Sequence, residues 1–425
     1  MTGEIVLIPA AVIDALVASG APWGWVGLTA DPAEGVAVVT GYSAEDGARN
    51  NTLASEFVRG HYMFRFDTGG WQGVWYRVRP EARGLWHTLA RQRSAVDPSL
   101  LERLVQGWRQ PPADRPMLVI TIDVDEDTRT IEAWHVMSGV AQPVDSVEVE
   151  ENADRTRTLR PGWPVDELEG AVFTVVGVGS IGGAVCEGLA DYGAQRLALV
   201  DHDRLLPHNL VRHRAHRRWV GRYKVNAQRQ TLLDQYPYLD VYPFPVDVAD
   251  AADAMRPLFR DSDVVICCAD GIDARVVCSH LARWAGTPVV LACVLDEGAF
   301  GEVLRLGAGA RTGCLLCQRG HMRAAGQLDP EPGLDLPYGT GSRHRPMTAV
   351  GGDLALVGRL AAKVAVATVL EKLGHPDQRL PGEHAILSLR SPADAAKPFD
   401  LPRSGMMRWL DVAPPRAGCP VCEIA

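Results

Sequence analysis

The clearest pattern along the chain is an unbroken apolar run at residues 171–176, followed by a glycine-rich turn. A short run without polar positions predicts a strand that is buried on both faces, as in a parallel sheet. Three glycines, Gly177, Gly179 and Gly182, then lead into a predicted helix. Glycines let the backbone approach a phosphate, and a helix N terminus supplies N–H donors. The pattern therefore favours a nucleotide site, with a purely structural turn as the alternative.

Acidic residues stand at the ends of two further predicted strands. The strand at 196–200 is followed by Asp201, about where a ribose-binding carboxylate is expected after the glycines. A second apolar run ends at Asp270. Because the carboxyl ends of parallel strands meet at one edge of a sheet, both acids should lie beside the glycine turn. Asp270 can then hold Mg²⁺ against phosphates, or it caps the helix predicted from residue 272.

The segment after Asp201 is polar and cationic where a plain dinucleotide-binding fold would begin its next helix. It contains Asp203, Asn209 and Arg212, and Lys224 follows. Two cations and an amide beside a phosphate loop suggest that the site takes part in a reaction of a triphosphate and does more than bind it. The run 212–222 is strongly basic, which indicates either a solvated surface or a site for phosphate or an acidic partner.

The remaining hydrophobic patterns predict two domains joined by a linker. Residues 165–425 read as an α/β domain with a Rossmann-like, mostly parallel sheet, an antiparallel extension at 301–306 and a long helix at 351–373. Residues 1–140 predict a smaller α+β domain, with strands at 25–29, 36–40, 64–67, 117–124 and 130–136 and helices at 12–19 and 99–108. The polar stretch 141–164 is interpreted as a linker, and 322–347 as a long mobile loop.

The cysteines add a metal site to this picture. None of the nine precedes Cys186, and four form the pairs Cys314-x-x-Cys317 and Cys419-x-x-Cys422. Four thiolates are the ligand set of a closed tetrahedral zinc site, which would tie the C-terminal tail to the sheet and contribute stability without chemistry. A redox-active disulfide pair is the alternative. The other five lie in apolar patterns and are predicted to be buried and inert: Cys186, Cys267, Cys268, Cys278 and Cys293.

Composition and charge narrow the class of protein. The chain has 425 residues, of which 47% are hydrophobic. That is enough for two or three domains, each with a buried hydrophobic core. A formal net charge of −9 argues against a general binder of nucleic acid. No apolar run reaches the roughly 18 to 20 residues of a membrane span, and no signal-peptide pattern opens the chain. A cytoplasmic protein that binds neither membranes nor nucleic acid is therefore expected.

Across about residues 155–422 the chain resembles the ThiF/MoeB family, the bacterial relatives of ubiquitin-activating enzymes. The resemblance lies in motifs that occur in the same order: the Gly177/Gly179/Gly182 loop, Asp201-x-Asp203, Asn209-Leu-x-Arg212, Gly221-x-x-Lys224, Cys268-Ala-Asp270 and the two cysteine pairs. One departure is His213, where the family has a glutamine.

The resemblance implies an activity and roles for these residues. It implies a homodimer that adenylates a C-terminal carboxylate with ATP and releases pyrophosphate. The glycine loop and the Asp201/Asp203 motif would hold ATP, and Asp270 would take the Mg²⁺ position. The phosphates would be contacted by Asn209, Arg212 and Lys224, and by an arginine of the neighbouring subunit, best matched by Arg157.

Members of the family that form a thioester or persulfide carry a cysteine in the crossover loop. The corresponding segment here, residues 342–350, has no thiol. We therefore predict that the reaction stops at the acyl-adenylate, which passes to an external nucleophile.

The first domain resembles a degenerate JAMM-type isopeptidase domain, through the strands around 115–136 and more loosely through 49–51 and 64–67. His87 and Asp97 stand where that family places zinc ligands and helpers, but Leu89 replaces the second histidine, and no glutamate near Trp25 can act as general base. A catalytic zinc needs at least three protein ligands. We expect an inactive domain that docks a substrate or partner, with His87 and Asp97 as surface or capping residues.

Three alternatives remain open for the whole chain. The activated carboxylate could belong to a ubiquitin-like or sulfur-carrier protein, or to a peptide or small metabolite. The second alternative is a nicotinamide-dependent oxidoreductase, although that function would not explain the phosphate-contacting residues or the four cysteines. A non-catalytic scaffold is the third.

Overall fold

The computed structural model describes residues 5–31, 35–44, 72–109, 116–125, 128–137, 139–149, 159–309, 311–327, 349–390, 392 and 395–423. The chain divides into two compact units, Met1–Ala153 and Asp154–Ala425. None of the described helices is both long and apolar enough to cross a bilayer.

The first unit is a closed barrel of seven strands with helices packed against it. Its strands follow the order β1-β3-β2-β4-β5-β6-β7, and β1 closes the barrel by pairing in parallel with β7. The strands are β1 (Ile5–Pro9), β2 (Trp23–Asp31), β3 (Val36–Tyr42), β4 (Gln72–Arg77), β5 (Met117–Asp125), β6 (Thr128–Met137) and β7 (Val140–Val149). The helices are α1 (Ala10–Ala18), α2 (Arg83–Gln92) and α3 (Pro98–Leu104).

Strand β5 is buried on both faces because alternate residues meet different helices. Leu118 and Ile120 pack in one core cluster with Ile13 of α1. Val119 belongs to the opposite cluster, with Trp86 of α2. A strand that is covered by helices on both faces has a nearly continuous run of apolar residues, as the sequence of β5 has here.

Two sequence predictions for this unit are corrected. The linker does not begin at residue 141, because residues 140–149 form strand β7 and pair with β1 and β6. Its polar residues alternate with buried ones such as Ala141 and Val144, a half-buried pattern that resembles a linker in composition. The helix expected at 99–108 ends at Leu104. The strand expected at 64–67 lies outside the described residues.

The second unit contains one eight-stranded sheet in the order β10-β9-β8-β11-β12-β13-β14-β15. The first five strands in that order run parallel, and β13, β14 and β15 extend the sheet in antiparallel fashion. The mostly parallel sheet and its antiparallel extension are confirmed. The strands are β8 (Val172–Val176), β9 (Arg196–Val200), β10 (Asp240–Phe244), β11 (Val264–Cys267), β12 (Val289–Leu295), β13 (Phe300–Leu306), β14 (His384–Ser388) and β15 (Met407–Leu410).

Seven helices are described in this unit, within residues 159–423. They are α4 (Val165–Gly170), α5 (Ser180–Asp191), α6 (Lys224–Gln235), α7 (Ala252–Arg260), α8 (Ile272–Ala285), α9 (Leu315–Ala324) and α10 (Gly351–Lys372). Met322, predicted to begin a mobile loop, lies in α9, and residues 328–348 lie outside the described residues.

Helices α5 and α10 pack tightly because each helix contributes a glycine to the contact between them. A Cβ on Gly358 would lie 2.5 Å from the carbonyl oxygen of Ile181, and a Cβ on Gly188 would lie 2.8 Å from Ala362 Cβ. Leu354, Val357 and other buried residues of α10 belong to the hydrophobic core on one face of the sheet. The contact fixes α5, whose N terminus follows the glycine loop.

Candidate functional site

The register of three strands brings the predicted site to one edge of the sheet. Val176 of β8 pairs with Val200 on one side and with Cys267 on the other. The strand order reverses between β8 and β11, which is where open α/β sheets bind their ligands. The glycine loop, Asp201 and Asp270 therefore follow neighbouring strand ends.

The glycine loop is shaped by close contacts that leave no space for side chains. Gly177 has a φ of +80°, and a Cβ there would lie 2.7 Å from the backbone nitrogen of Ala269. A Cβ on Gly182 would overlap the carbonyl oxygen of Gly177 at 1.9 Å. Above Gly179, by contrast, an added Cβ would meet, among the described residues other than its chain neighbours, only the ring of His213, at 3.8 Å. The space at the N terminus of α5 is thus open, as an anion site requires.

Asp201 holds the loop and the segment after β9 together. One carboxylate oxygen accepts the backbone N–H of Val178, and the other accepts that of Asp203, both at 2.9 Å. Burial raises the pKa of Asp201, and Lys224 together with these two N–H donors opposes the increase. Ligand atoms of Asp201, His202 and Asp203 also lie within 4.8 Å of one another.

Lys224 is a positioned cation at this edge. Its Nζ donates to Asp203 Oδ2 at 2.7 Å, and its side chain is only 14% exposed. Burial lowers the pKa of Lys224, but the carboxylates of Asp201 and Asp203 outweigh this effect and raise that pKa above its usual value. The ammonium group therefore stays charged. Burial raises the pKa of Asp203, but Lys224 outweighs this effect and holds that pKa below its usual value.

Asn209 organises the turn that presents Arg212. The turn is the short 3-10 helix Pro207–Val211, and Asn209 is buried in it. Asn209 Oδ1 accepts the backbone N–H of Leu206 at 2.8 Å. The carbonyl oxygen of Asn209 accepts the backbone N–H of Arg212 at 3.1 Å. Asn209 is thus engaged in shaping the backbone, and its predicted contact with phosphate stays a prediction.

The charges of three basic residues act on Asp270. Burial raises the pKa of its carboxyl, while the charges of Lys224, Arg212 and Arg275 oppose that increase. The residue is nevertheless exposed to solvent. An accessible carboxylate with cations nearby suits Mg²⁺, which is bound through one or two carboxylates and substrate phosphates. Arg157, predicted to serve a neighbouring subunit, lies outside the described residues.

The four paired cysteines come together as a cluster that could bind zinc. The Sγ–Sγ distances are 3.8 Å for Cys314–Cys317 and 3.7 Å for both Cys314–Cys419 and Cys317–Cys422. Four sulfur ligands at about 2.3 Å from a tetrahedral zinc stand about 3.8 Å apart. These spacings fit a metal and are far longer than the roughly 2 Å bond of a disulfide. The other five cysteines are buried, as predicted.

In the first unit, the JAMM-like positions have structural partners. His87 Nε2 lies 3.2 Å from Asp123 Oδ2, and Asp97 caps α3 by accepting the backbone N–H of Ser99 at 2.8 Å. Among the described residues, no group of three metal-binding side chains includes His87. The capping role predicted for Asp97 is confirmed, while residues 49–51 and 64–67 lie outside the described residues. The resemblance itself stays a prediction.

Sequence reasoning did not assign His213 to the site. The structure places its ring beside Gly179, and the charges of Lys224 and Arg212 act on it. The sequence signal was its position directly after Arg212, where the family that the chain resembles has a glutamine.

Comparison with known proteins gives one family. The model described as "ThiF family" matches residues 162–403, more than half of the chain. "Adenylyltransferase and sulfurtransferase UBA4" of Kluyveromyces lactis is 32% identical over 130 residues, which cover 30% of this chain and 29% of that protein. "Molybdopterin-synthase adenylyltransferase" of Salmonella typhimurium is 32% identical over 111 residues, covering 26% of this chain and 44% of that protein.

These alignments span less than half the length of the curated relatives. Among solved structures, E. coli MccB is 18% identical, with a TM-score of 0.45 over 61% of this chain and 68% of that chain.

Proposed function

The chain belongs to the ThiF family, and on that premise we propose that it is an ATP-dependent adenylyltransferase that activates a C-terminal carboxylate as an acyl-adenylate. The observation that carries the proposal is the meeting of the glycine loop, Asp201 and Asp270 at neighbouring strand ends beside an open helix N terminus, where the charges of Arg212 and Lys224 act on Asp270. The names of the relatives, which include adenylyltransferases, support it.

The charges at this edge suit the reaction. A carboxylate oxygen forms a bond to the α-phosphorus of ATP, the bond from that phosphorus to the bridging oxygen breaks, and pyrophosphate leaves with the electron pair. Both reactants are anions, so Arg212 and Lys224 lower their repulsion. No general base is needed, because the attacking carboxylate is already ionised. Asp270 would hold Mg²⁺, which when bound offsets the negative charge of the phosphates.

For the acyl substrate we propose a small ubiquitin-like or sulfur-carrier protein. Relatives with such names support this choice, among them "Ubiquitin-like modifier-activating enzyme 5" of Caenorhabditis briggsae, 26% identical over 161 residues. The alternative substrate is the carboxylate of a peptide or small metabolite. The alternative function is that of a non-catalytic scaffold. The proposal includes a cytoplasmic homodimer in which Arg157 reaches the γ-phosphate of the neighbouring subunit's ATP.

The proposal is tested by exchange of labelled pyrophosphate into ATP. The purified protein is incubated with Mg²⁺, ATP and one candidate at a time: small carrier proteins that end in Gly-Gly, the same carriers with an amidated C terminus, and short peptides. We expect exchange that depends on a free C-terminal carboxylate. Exchange with peptides alone would favour the alternative substrate, and no exchange with any candidate would favour the scaffold.

We also predict that no cysteine of this chain becomes covalently loaded. Cys186, Cys267, Cys268, Cys278 and Cys293 are buried, and burial raises the pKa of Cys186, Cys268 and Cys278, which disfavours the reactive thiolate. After incubation with ATP and a carrier that supports exchange, a non-reducing denaturing gel should contain no thiol-sensitive adduct. A band that dithiothreitol removes would contradict the prediction.

A further inference from the structure

The segment between β9 and α6 carries more positive charge than the candidate site uses. Residues 204–233 contain eight arginine and lysine residues and no aspartate or glutamate, in a chain whose formal net charge is −9. Two of the eight, Arg212 and Lys224, belong to the candidate site. We define four of the others, all exposed, together with two aromatic residues as the basic platform: Arg204, Arg217, Arg218, Arg222, Trp219 and Tyr223.

The backbone holds the two ends of this loop side by side. The N–H of Leu205 donates to the carbonyl oxygen of Arg222, and the N–H of Gly221 donates to that of Leu205, both at 2.8 Å. Arg204 also forms an isolated antiparallel bridge with Tyr223. The arginines of the basic platform therefore belong to one compact piece of chain.

Aromatic rings order three of these arginines. The guanidinium carbons of Arg218 and Arg222 each lie 4.7 Å from the centre of the Trp219 ring. That of Arg204 lies 4.2 Å from the centre of the Tyr223 ring, and the same side chain donates to a backbone carbonyl oxygen at 2.9 Å. A guanidinium group that is already stacked on an aromatic face loses less freedom when a partner binds.

Three of the four charges are not neutralised by the chain itself. Across the described residues, Arg218 pairs with the carboxylate of Asp234, whereas Arg204, Arg217 and Arg222 form no ion pair. Exposed guanidinium groups that are held in place and lack a carboxylate form a surface that is complementary to an acidic one.

The basic platform adjoins the candidate site at both of its ends. Arg204 directly follows Asp203, and Tyr223 directly precedes Lys224, whose Nζ donates to Asp203 Oδ2 at 2.7 Å. A macromolecule docked on the basic platform is therefore adjacent to the place where a carboxylate would meet ATP.

On the basis of the proposed function, we propose that the basic platform docks an acidic surface of the protein whose C-terminal carboxylate is activated. Carboxylates on a folded partner suit it, because the arginine fork binds them through paired hydrogen bonds. A nucleic acid suits it less. Single strands are bound by stacking of their bases on aromatic rings, and here Trp219 and Tyr223 already stack with guanidinium groups of the chain.

The first test is pyrophosphate exchange by the full chain with an acidic carrier protein that ends in Gly-Gly. Charge reversal in Arg217→Glu with Arg222→Glu should raise KM for the carrier about tenfold or more, because two attractions become repulsions. The kcat and the KM for ATP should not change. High salt should raise KM of the wild type and affect the variant much less, because salt screens charges on the surface.

The matched control is Arg256→Glu with Arg260→Glu. These two arginines are also exposed and stack on a tryptophan, Trp284, but they lie on α7, outside the basic platform. The control changes the net charge of the chain by the same amount, and it should keep the wild-type KM for the carrier. Thermal unfolding of both double variants shows whether the fold is intact.

The second test measures binding without ATP, by the fluorescence anisotropy of the labelled carrier and of a labelled short single-stranded RNA. The wild type should bind the carrier, and the platform variant should bind it about tenfold more weakly or less. An unchanged affinity, or an equal loss in the control variant, would overturn the proposal. So would RNA binding that only the platform variant loses, which would indicate a nucleic acid partner, or a changed oligomeric state of that variant in sedimentation, which would indicate a subunit interface.

The two proposals fail in different ways. A wild-type chain that binds the carrier through the basic platform but catalyses no exchange would refute the proposed function and support the docking surface. Exchange that is equally efficient in the platform variant and the wild type would support the function and refute the docking surface.

Discussion

Replacing Asp270 by alanine should abolish substrate-dependent exchange of pyrophosphate into ATP. Asp270 is the accessible carboxylate at the end of β11, and Lys224 and Arg212 act on its charge. Without this carboxylate the proposed Mg²⁺ loses its protein ligand, and the anionic carboxylate and α-phosphate repel each other. Loss of one preorganised electrostatic group in an active site lowers the rate by about 10²- to 10³-fold, and loss of a bound metal with it should lower it further.

Two further variants make this measurement specific. Asp270→Asn keeps the size of the side chain and removes the charge, and it should lose exchange as completely as alanine. Asp261 is an exposed acid that follows α7, before the amino-terminal end of the same strand, so Asp261→Asn should keep wild-type exchange. Full activity of Asp270→Asn would refute the Mg²⁺ role, while thermal unfolding of each variant shows whether the fold is intact.

Removing the tail cysteines should release zinc and strongly destabilise the second unit. The four sulfur atoms of the cysteine cluster have the spacing of a tetrahedral zinc site, and two of them come from the C-terminal tail. Because bound zinc stabilises small zinc-finger peptides by about 10 kcal/mol, we expect Cys419→Ser with Cys422→Ser to cost roughly 5 kcal/mol or more. At about 2 to 4 °C per kcal/mol, Tm should fall by about 10 °C or more.

Zinc content, measured by elemental analysis, should fall from one ion per chain to none in the double variant. Cys278→Ala is the matched control, because Cys278 is buried outside the cluster and its loss should leave the zinc content unchanged. A strong chelator should lower Tm of the wild type, and dithiothreitol should not. The opposite response, or a wild-type protein without zinc, would favour the redox-active disulfide pair.

How far the sequence predicts this protein depends on how local the cause of each feature is. The strand at 172–176, the glycine turn and α5 follow from an apolar run and three glycines that are close in the chain, and the bounds of the strand agree with the prediction to within one residue. Strand β7 was missed because its polar residues face solvent, and its buried face exists only through pairing with β1 and β6.

The candidate site shows the same division. Asp201, Arg212, Lys224 and Asp270 were recognisable as an ordered set of motifs, but the pairing of Lys224 with Asp203 at 2.7 Å and the use of Asn209 to shape a turn depend on the folded backbone. His213 was visible only as a departure from a family pattern. Its position over Gly179 comes from a contact between segments more than thirty residues apart.

By itself, the sequence determined the class of fold, the edge of the sheet where the glycine loop, Asp201 and Asp270 meet and which four cysteines form two close pairs, because patterns of burial and the order of motifs are written along the chain. The tertiary structure alone decided which carboxylate holds the lysine, which ring borders the glycine loop and whether distant thiols meet. Those outcomes depend on packing between segments far apart in sequence, where a change of one ångström makes or breaks a hydrogen bond.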